Sequence, residues 1–468
     1  MNYRLKKTIS SIFGIQQDNM LKVFLLSVSF FLVIGAYTVV RELKDIVFTS
    51  LVGCDRQYLA YAKLFSMFIL IPTLLFHSRL VDILRKHYLL YFYSLLYGLL
   101  GLLFAILLGN STIGLENTVA SSSRYLGWIF YFFVEGYSPL VVSVFWAFAN
   151  SVTEPQDAKS NYTAMIAGSK LGGMVTAALG CLLLKSNIFT DVVAHQFLLA
   201  TSSLILMIVP IVVYILVLRV PKKELHGYEA AYKVEKENIK QHTLEKQSTF
   251  EGMVSGLFML FRYPYVLGIF GMSFFFELIN QAIKVENIVF VRIACPTISH
   301  STSMLLWQAL LVHIVGFIVV VFGTRALIQA LGEKWALVTV PLVTGVSVIG
   351  FVFDPTYLTA IIAFVVTRSV NYALAVPLRE SLYIPTVKAI KFKTKSWIDG
   401  VGNKFAKTCA STFNMYADKF ASHMLFQAQS VFFSLIVGFW VLTAYLLGTR
   451  FELAVKKNEV IGSDVDTL

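Results

Sequence analysis

Long apolar runs recur along almost the whole chain, separated by shorter polar segments. Each run is about twenty residues long, the length that an α-helix needs to cross about 30 Å of hydrocarbon. The pattern therefore predicts about twelve membrane-spanning helices. Their starts lie near Val23, Tyr58, Tyr88, Tyr125, Thr163 and Gln196 and, in a second set, near Pro264, Met304, Trp335, Tyr357, Asn403 and Ser430.

One long polar stretch, residues 221–250, interrupts the apolar runs and is rich in Lys, Glu and Gln. This composition is typical of a solvated linker. We therefore predict an all-α polytopic membrane protein with an N-terminal six-helix bundle at 1–220, a cytoplasmic linker at 221–262 and a C-terminal six-helix bundle at 263–468. Two such bundles favour a major-facilitator-like arrangement, in which the bundles rock about a central site.

The distribution of basic residues predicts which side of the membrane each loop faces. Lys and Arg concentrate near the N-terminus, in the 221–250 linker and in alternate loops, whereas loops such as 109–123 and 186–195 contain none. By the positive-inside rule, both termini and the linker face the cytoplasm. We do not expect the first apolar run to be a signal peptide, because Arg41, Lys44 and Asp45 follow it where a small-residue cleavage site would stand.

Composition also favours a membrane protein and argues against other classes. The chain is 57% apolar and 14% charged, with a mean hydropathy of +0.71, whereas soluble domains carry about 25% charged residues. The net charge of +12 is expected from the loops that set the topology, so we predict no nucleic-acid binding. Nucleotide-binding loops, nucleophile elbows and metalloprotease helices are absent from the sequence, and the four cysteines lack metal-site spacing. We expect no enzyme activity, no cofactor and no metal.

Charged residues inside the apolar runs are the informative ones. Each costs about 2.5–3.5 kcal/mol to insert, so those that persist tend to line a cavity or to form a pair. Arg41 and Lys44 lie one turn apart near the end of the first run, with Asp45 beside them. Further charges lie within later runs at Lys63, Glu135 and Lys170.

The seventh apolar run carries a polar stripe. Glu277, Asn280, Gln281 and Lys284 recur every three or four residues, which places them on one face of a helix. A polar face on an apolar helix is expected to meet a cavity or a polar partner. The tenth run carries Arg368 and Asn371 on one face and ends near Arg379. Between it and the eleventh run lie Lys393, Lys395 and Asp399, and Lys404 and Lys407 follow at the start of the eleventh run.

Basic groups outnumber acidic groups in or near these runs. A low-dielectric cavity with excess positive charge is best satisfied by an anion, since charge-assisted hydrogen bonds to phosphate oxygens are strong. We therefore predict a solute with several negative charges. The basic groups are Arg41, Lys44, Lys63, Lys170, Lys284, Arg368, Arg379, Lys404 and Lys407, against the acidic Asp45, Glu135, Glu277, Glu286 and Glu380.

Two other features have ordinary structural interpretations. His313 is the one clear histidine in the middle of a run, and a lone histidine on an apolar helix is more often packed and hydrogen-bonded than a ligand. Gly168 and Gly172 form a G-x-x-x-G face, which usually indicates close helix packing. Lys170 lies between these glycines, so it is a candidate either for this packing face or for the transport pathway.

Several segments resemble the nucleotide transporter family of bacteria and plastids, the ATP/ADP translocases. Residues 40–45 (VRELKD) resemble the end of the family's first helix, and Glu135 with residues 144–150 (VFWAFAN) resembles its fourth-helix block. The strongest resemblance is in residues 378–385 (LRESLYIP), followed by 391–399 (KFKTKSWID) and 403–407 (NKFAK). The resemblance in helix layout covers most of the chain.

The resemblance implies transport of a nucleotide, by ATP/ADP exchange or related uptake, with Lys44, Glu135, Lys284 and Lys395 holding phosphates or coupling exchange. In the seventh helix, where relatives carry Glu four residues before Lys, this chain has Asn280. The expected substrate-binding residues are Arg41, Lys44, Lys63, Glu135, Asn150, Lys170, Glu277, Asn280, Lys284, Arg368, Arg379, Lys393, Lys395, Lys404 and Lys407, and the expected coupling residues are Asp45, Glu135, Glu277 and Asp399.

Other functions remain open at this point. The alternatives are transport of another multiply phosphorylated metabolite, such as NAD or an inositol phosphate, and a membrane enzyme or lipid flippase. Short tails without a transit peptide favour the inner membrane of a bacterium, as in relatives from intracellular bacteria, over a plastid. We expect a monomer embedded in the lipid bilayer, with a nucleotide as its partner.

Overall fold

The computed structural model is almost entirely helical. It describes residues 19–84, 86–153, 158–221, 257–295, 297–383, 385–386, 390, 394–417, 419, 422–457 and 459–462. The predicted linker is therefore largely outside the described residues, as are most of the residues expected to set the topology at the N-terminus. The chain folds into two compact units, which are described separately.

The first unit comprises residues 1–54, 65–245 and 295–317. Most of its helices are long, and Pro210 is accommodated inside one of them. They are α1 (Met20–Leu51), α2 (Arg56–Ile83, from residue 65 onward), α3 (Lys86–Leu108), α4 (Tyr125–Glu135), α5 (Ser143–Val152), α6 (Ala158–Lys185), α7 (Asp191–Arg219) and α9 (Ile298–Ile318).

The second unit comprises residues 55–64, 246–294 and 318–468. It contains the first turns of α2 as well as most of the C-terminal half. Its other helices are α8 (Pro264–Ala294), α10 (Thr324–Phe353), α11 (Tyr357–Val370), α12 (Val376–Leu382), α13 (Lys395–Trp397), α14 (Asn403–Ala417) and α15 (Ser422–Lys456). Within the described residues, the one β-bridge is a parallel pairing of Thr386 with Ile461.

Local sequence explains where several helices begin or break. Thr190 caps α7 by accepting a hydrogen bond from the Val193 amide, and Thr356 and Thr359 form a capping box at the start of α11. Gly332 has φ 75° and ψ 167°, a conformation that other residues rarely adopt, and it breaks the helical run 324–353. Split at this break, the described helices form twelve long runs, whose positions match the predicted spans.

The helices have the length and composition of membrane spans. Nine of those in the described part of the chain are long and apolar enough to cross a membrane, and Tyr357–Val370 is a shorter apolar helix. Many of their large apolar side chains are exposed, such as Ile106, Leu182 and Val346. The protein is thus an all-α polytopic membrane protein, as the sequence predicts.

Each unit has its own apolar core. In the first unit, Phe30 of α1 stacks on Phe145 of α5 with ring centroids 4.4 Å apart. In the second, Trp440 of α15 is fully buried in a cluster with residues of α8, including Phe276. The predicted packing face at Gly168 and Gly172 is confirmed, because a Cβ atom added to Gly172 would lie 2.2 Å from the Phe31 carbonyl oxygen of α1.

Candidate functional site

The first unit holds a buried lysine between two carboxylates. Lys44 of α1 has 2% of its side chain exposed, and its Nζ lies 2.5 Å from Glu135 Oε1 and 3.4 Å from Asp45 Oδ1. The Lys44 Nζ also lies 4.4 Å from the ring centroid of the buried Tyr131 in α4. Contact with an aromatic face stabilises a desolvated cation by about 2 kcal/mol. Carboxylates and an aromatic ring therefore hold this charge inside a membrane-spanning segment.

Arg41 and Lys170 belong to the same unit but differ in their surroundings. Arg41 Nε donates to Oε1 of the adjacent Glu42 at 2.8 Å. Asp45 is paired with Lys44 instead. Lys170 of α6 is buried, and its side-chain stem packs near the backbone of Gly316 in α9. The side chain of Asn150 lies outside the described residues.

His313 of α9 is packed and hydrogen-bonded, as expected for a lone intramembrane histidine. Its Nε2 lies 3.0 Å from Thr38 Oγ1, and its ring fills the space where a Cβ atom of Gly173 would stand. Two more polar contacts join α9 to the same unit. They are His195 Nε2 to Thr302 Oγ1 at 2.7 Å and Cys181 Sγ to Ser303 Oγ at 3.2 Å. We therefore assign His313 a structural role.

The polar stripe of α8 is the centre of the second unit's charged group. Glu277 Oε1 lies 3.4 Å from the Lys407 Nζ of α14, and Glu277 Oε2 accepts from the Asn280 amide at 3.2 Å. Asn280 Oδ1 accepts from Arg368 Nε at 3.4 Å. Lys284 is buried one turn further along α8. The stripe thus joins an acid and an amide of α8 to basic residues of α11 and α14.

A second basic group of this unit lies at the ends of α12 and α13. Arg379 Nη1 donates to Ser273 Oγ of α8 at 3.0 Å, and the Lys395 Nζ lies 2.5 Å from Glu380 Oε2. The Lys395–Glu380 pair is partly exposed, so it is screened more than the Lys44–Glu135 pair. Lys393 lies outside the described residues.

The other predicted site residues of this unit differ in burial. Lys63 of α2 is buried, and Lys404 of α14 is half-buried. Asp399 is exposed in the π-helical turn Ile398–Gly402.

Three π-helical turns accompany the candidate residues. Ser138–Val142 follows Glu135, Asn371–Ala375 follows Arg368, and Ile398–Gly402 contains Asp399. Single π-helical turns inside helices occur frequently at functional sites, because the extra residue changes which side chains face the same way. These turns could not be read from the hydrophobic pattern, which they shift by only one position.

An ion pair of the second unit that the sequence did not indicate joins α2 to α8. Arg56, in the first turn of α2, binds Glu286 of α8 through two hydrogen bonds, Nε to Oε1 at 3.1 Å and Nη2 to Oε2 at 2.8 Å. The Glu286 side chain is 4% exposed. Arg56 follows a short loop, so in the sequence it looks like an ordinary residue at a helix start. No signal in the sequence indicated its partner 230 residues away.

Comparison with known proteins identifies the family. The chain matches the TLC ATP/ADP transporter family over residues 1–451. The chain belongs to this family. Its members are transporters rather than enzymes.

Two curated relatives agree with this assignment over part of their length. They are the ADP,ATP carrier proteins 2 and 1, chloroplastic, of Arabidopsis thaliana, each 25% identical over 170 residues. The matched region covers 32% of this chain and 28% and 27% of those relatives. The family assignment therefore rests on the match over residues 1–451.

Solved structures show the fold of this family member. The chain is similar to a D-xylose-proton symporter, with a TM-score of 0.59, 12% identity and coverage of 92% of this chain and 97% of the symporter. It is also similar to the Major Facilitator Superfamily transporter FucP in its outward conformation, with a TM-score of 0.53, 15% identity and coverage of 93% and 99%. The predicted major-facilitator-like fold is thereby confirmed.

The Arg56–Glu286 pair generates a prediction about stability. The substitution R56E would place a second carboxylate beside buried Glu286, and breaking a buried ion pair costs about 3–5 kcal/mol. We expect R56E and E286R each to lower the melting temperature of the detergent-purified protein, and the double variant R56E/E286R to recover most of the loss. Single variants that melt like the wild type would contradict the pairing.

Proposed function

We propose that this protein is a secondary transporter of nucleotides, working by ATP/ADP exchange or a related uptake, in which basic side chains bind the phosphates. The observation that carries the proposal is Lys44, buried in a membrane-spanning helix and held by Glu135. Family membership and the match to chloroplast ADP,ATP carriers support a nucleotide as the substrate.

Each unit pairs a lysine with a glutamate, in a buried 2.5 Å contact in the first unit and in a partly exposed 3.4 Å contact in the second. Lys44 is held by Glu135 in the first unit, and Lys407 by Glu277 in the second. Phosphate oxygens offer a lysine charge-assisted hydrogen bonds as strong as those of a carboxylate, and a nucleotide brings several of them at once. Within each unit, a bound polyanion would therefore compete with the carboxylate for its lysine. We propose that each lysine exchanges its glutamate for a phosphate when substrate binds.

Ion-pair exchange links loading to movement. A carboxylate repels phosphate, so Glu135 and Glu277 are proposed to hold the cations and not to contact the substrate. The same role is proposed for Asp45 beside Lys44 and for Asp399, which lies near Lys395 in sequence. An unloaded carrier would reorient poorly, because moving charged side chains through a closed, dry state is costly. Obligatory exchange follows from that cost.

The remaining candidates form a proposed phosphate-binding set around these pairs. Positive charge from several helices would spread over a triphosphate, with Arg giving bidentate contacts and Lys acting as a point charge. The set comprises Arg41, Lys63, Asn150, Lys170, Asn280, Lys284, Arg368, Arg379, Lys393, Lys395 and Lys404, together with the paired Lys44 and Lys407.

Alternating access is the proposed mechanism, with residues 1–220 and 263–468 as the halves, 221–262 as a cytoplasmic linker and both termini cytoplasmic. Arg56 belongs to the first of these halves and Glu286 to the second. Their ion pair would then have to break during each transport cycle, so it would stabilise one of the two access states. We further propose a monomer in the inner membrane of a bacterium.

Counterflow tests the function directly. Purified protein is reconstituted into liposomes loaded with ADP, and uptake of labelled ATP is measured against liposomes without internal nucleotide. We expect uptake only with internal ADP, and competition by external nucleotides but not by adenosine. Competition by adenosine at the same concentration would show that the phosphates do not carry recognition. Uptake of labelled NAD or an inositol phosphate in place of ATP would overturn the nucleotide assignment.

Replacing Glu135 by Gln tests ion-pair exchange. Removing one partner of a buried charge pair costs about 2–5 kcal/mol, and each ~1.4 kcal/mol in a barrier is about tenfold in rate. We therefore expect E135Q to slow ATP/ADP exchange about tenfold or more. The matched control is E116Q, since Glu116 is exposed on the 109–124 loop.

The same variant separates ion-pair exchange from proton coupling. If Glu135 carried a proton, E135Q would lose accumulation against a gradient but keep exchange at the wild-type rate. Unchanged transport in both assays would exclude Glu135 from the mechanism.

A further inference from the structure

The described residues that follow α15 form a short strap, defined here as residues 459–462. The Glu459 amide donates to the Ala454 carbonyl oxygen at 2.9 Å. The Glu459 carboxylate accepts two hydrogen bonds from Arg450, the one from Nη1 at 2.9 Å and the other from Nη2. A bidentate arginine–carboxylate pair fixes orientation as well as distance. The strap is thus held against the last turns of α15.

Ile461 docks the strap onto the turn that follows α12. Its amide donates to the Pro385 carbonyl oxygen at 2.7 Å, and it pairs with Thr386 in the one parallel bridge of the described residues. The Ile461 side chain is 7% exposed and joins the apolar cluster that contains Leu382 and Tyr383. One backbone hydrogen bond and one buried side chain therefore connect the strap to this turn.

The turn at residues 383–386 lies between proposed phosphate-binding residues. Arg379 precedes it in α12, and Lys395 follows it at the start of α13. The Lys395 Nζ also lies 5.3 Å from the ring centroid of Tyr383. Within the turn, the Thr386 hydroxyl donates to the Tyr383 carbonyl oxygen at 2.8 Å. A change in the conformation of the turn would therefore change the positions of the Arg379 and Lys395 side chains.

The strap lies beyond the region that matches the family, which ends at residue 451. We propose that Ile461 and Glu459 are positioning residues, which hold the 383–386 turn so that Arg379 and Lys395 are pre-arranged for phosphate. A binding group that is already ordered loses less conformational freedom when its ligand arrives. This inference rests on the proposed function, since it assigns a positioning element to the same site.

Truncation tests the strap with a matched control. One variant ends at Lys457 and lacks the strap, and the control ends at Gly462 and keeps it. We expect the KM for ATP in exchange to rise about two- to thirtyfold in the first, the range seen when coupling residues outside a site are changed. The maximal rate should stay at the wild-type value, and the control should match the wild type in both. An unchanged KM in the strapless variant would overturn the proposal.

A point substitution separates positioning from a folding defect. Ile461→Asp places a charge in the apolar cluster, whereas Ile461→Val keeps the backbone pairing and most of the apolar surface. We expect I461D to reproduce the raised KM of the strapless variant and I461V to behave like the wild type. Equal KM values for I461D and I461V would contradict a role for Ile461, and this comparison holds even if the truncated protein does not assemble.

A second readout is independent of transport. Amide hydrogen exchange over residues 379–386 should be faster in I461D and in the strapless variant than in the wild type. Unchanged exchange rates would refute the strap as an anchor of the turn. Suppose that the wild type shows no ATP/ADP counterflow while amide hydrogen exchange over residues 379–386 still depends on the strap. In that case the proposed function is wrong, and the strap still anchors the turn.

Discussion

The cost of placing a charge inside a membrane governs the rest of this structure. Each unit contains basic side chains within helices whose apolar surfaces are otherwise suited to lipid. In the first unit, Glu135, Asp45 and the face of Tyr131 offset this cost for the Lys44 ammonium group. The second meets it at Lys407 with Glu277. In the proposed mechanism, the same pairs that stabilise these cations also keep them in place for a phosphorylated solute that replaces the carboxylates.

Local helix geometry adjusts to these charges. The π-helical turns Ser138–Val142, Asn371–Ala375 and Ile398–Gly402 lie directly beside or within candidate site segments. Elsewhere the helices pack by close approach, as at Gly172 against the Phe31 backbone. A fourth π-helical turn, Val319–Gly323, lies in an apolar segment, so such turns also occur away from the candidate residues. Most of the binding set lies on helices, which hold side chains more rigidly than loops do.

The sequence predicted the helices well, because a span needs only length and apolar composition. It also nominated Lys44, Glu135 and Glu277, because a charge in an apolar run is conspicuous. It did not predict which charges pair, since partners such as Arg56 and Glu286 are 230 residues apart and meet only through the fold. The short-range contact of Arg41 was missed for another reason. Both Glu42 and Asp45 lie close to Arg41 in the sequence, which does not show which of the two carboxylates accepts its hydrogen bond. The strap at Ile461 was missed because its docking site, Pro385, is distant in sequence.

If phosphates replace carboxylates at Lys44 and Lys407, recognition should grow with the charge of the ligand. A ligand that binds only the folded protein stabilises it by RT ln(1 + L/Kd), where L is the concentration of free ligand, so at equal concentration a tighter ligand raises the melting temperature more. The most direct measurement is the melting temperature of the detergent-purified wild type with adenosine, AMP, ADP or ATP at equal concentration. We expect no shift of the melting temperature with adenosine and a shift that increases with the number of phosphates. A shift with adenosine as large as that with ATP would contradict the replacement of carboxylates by phosphates.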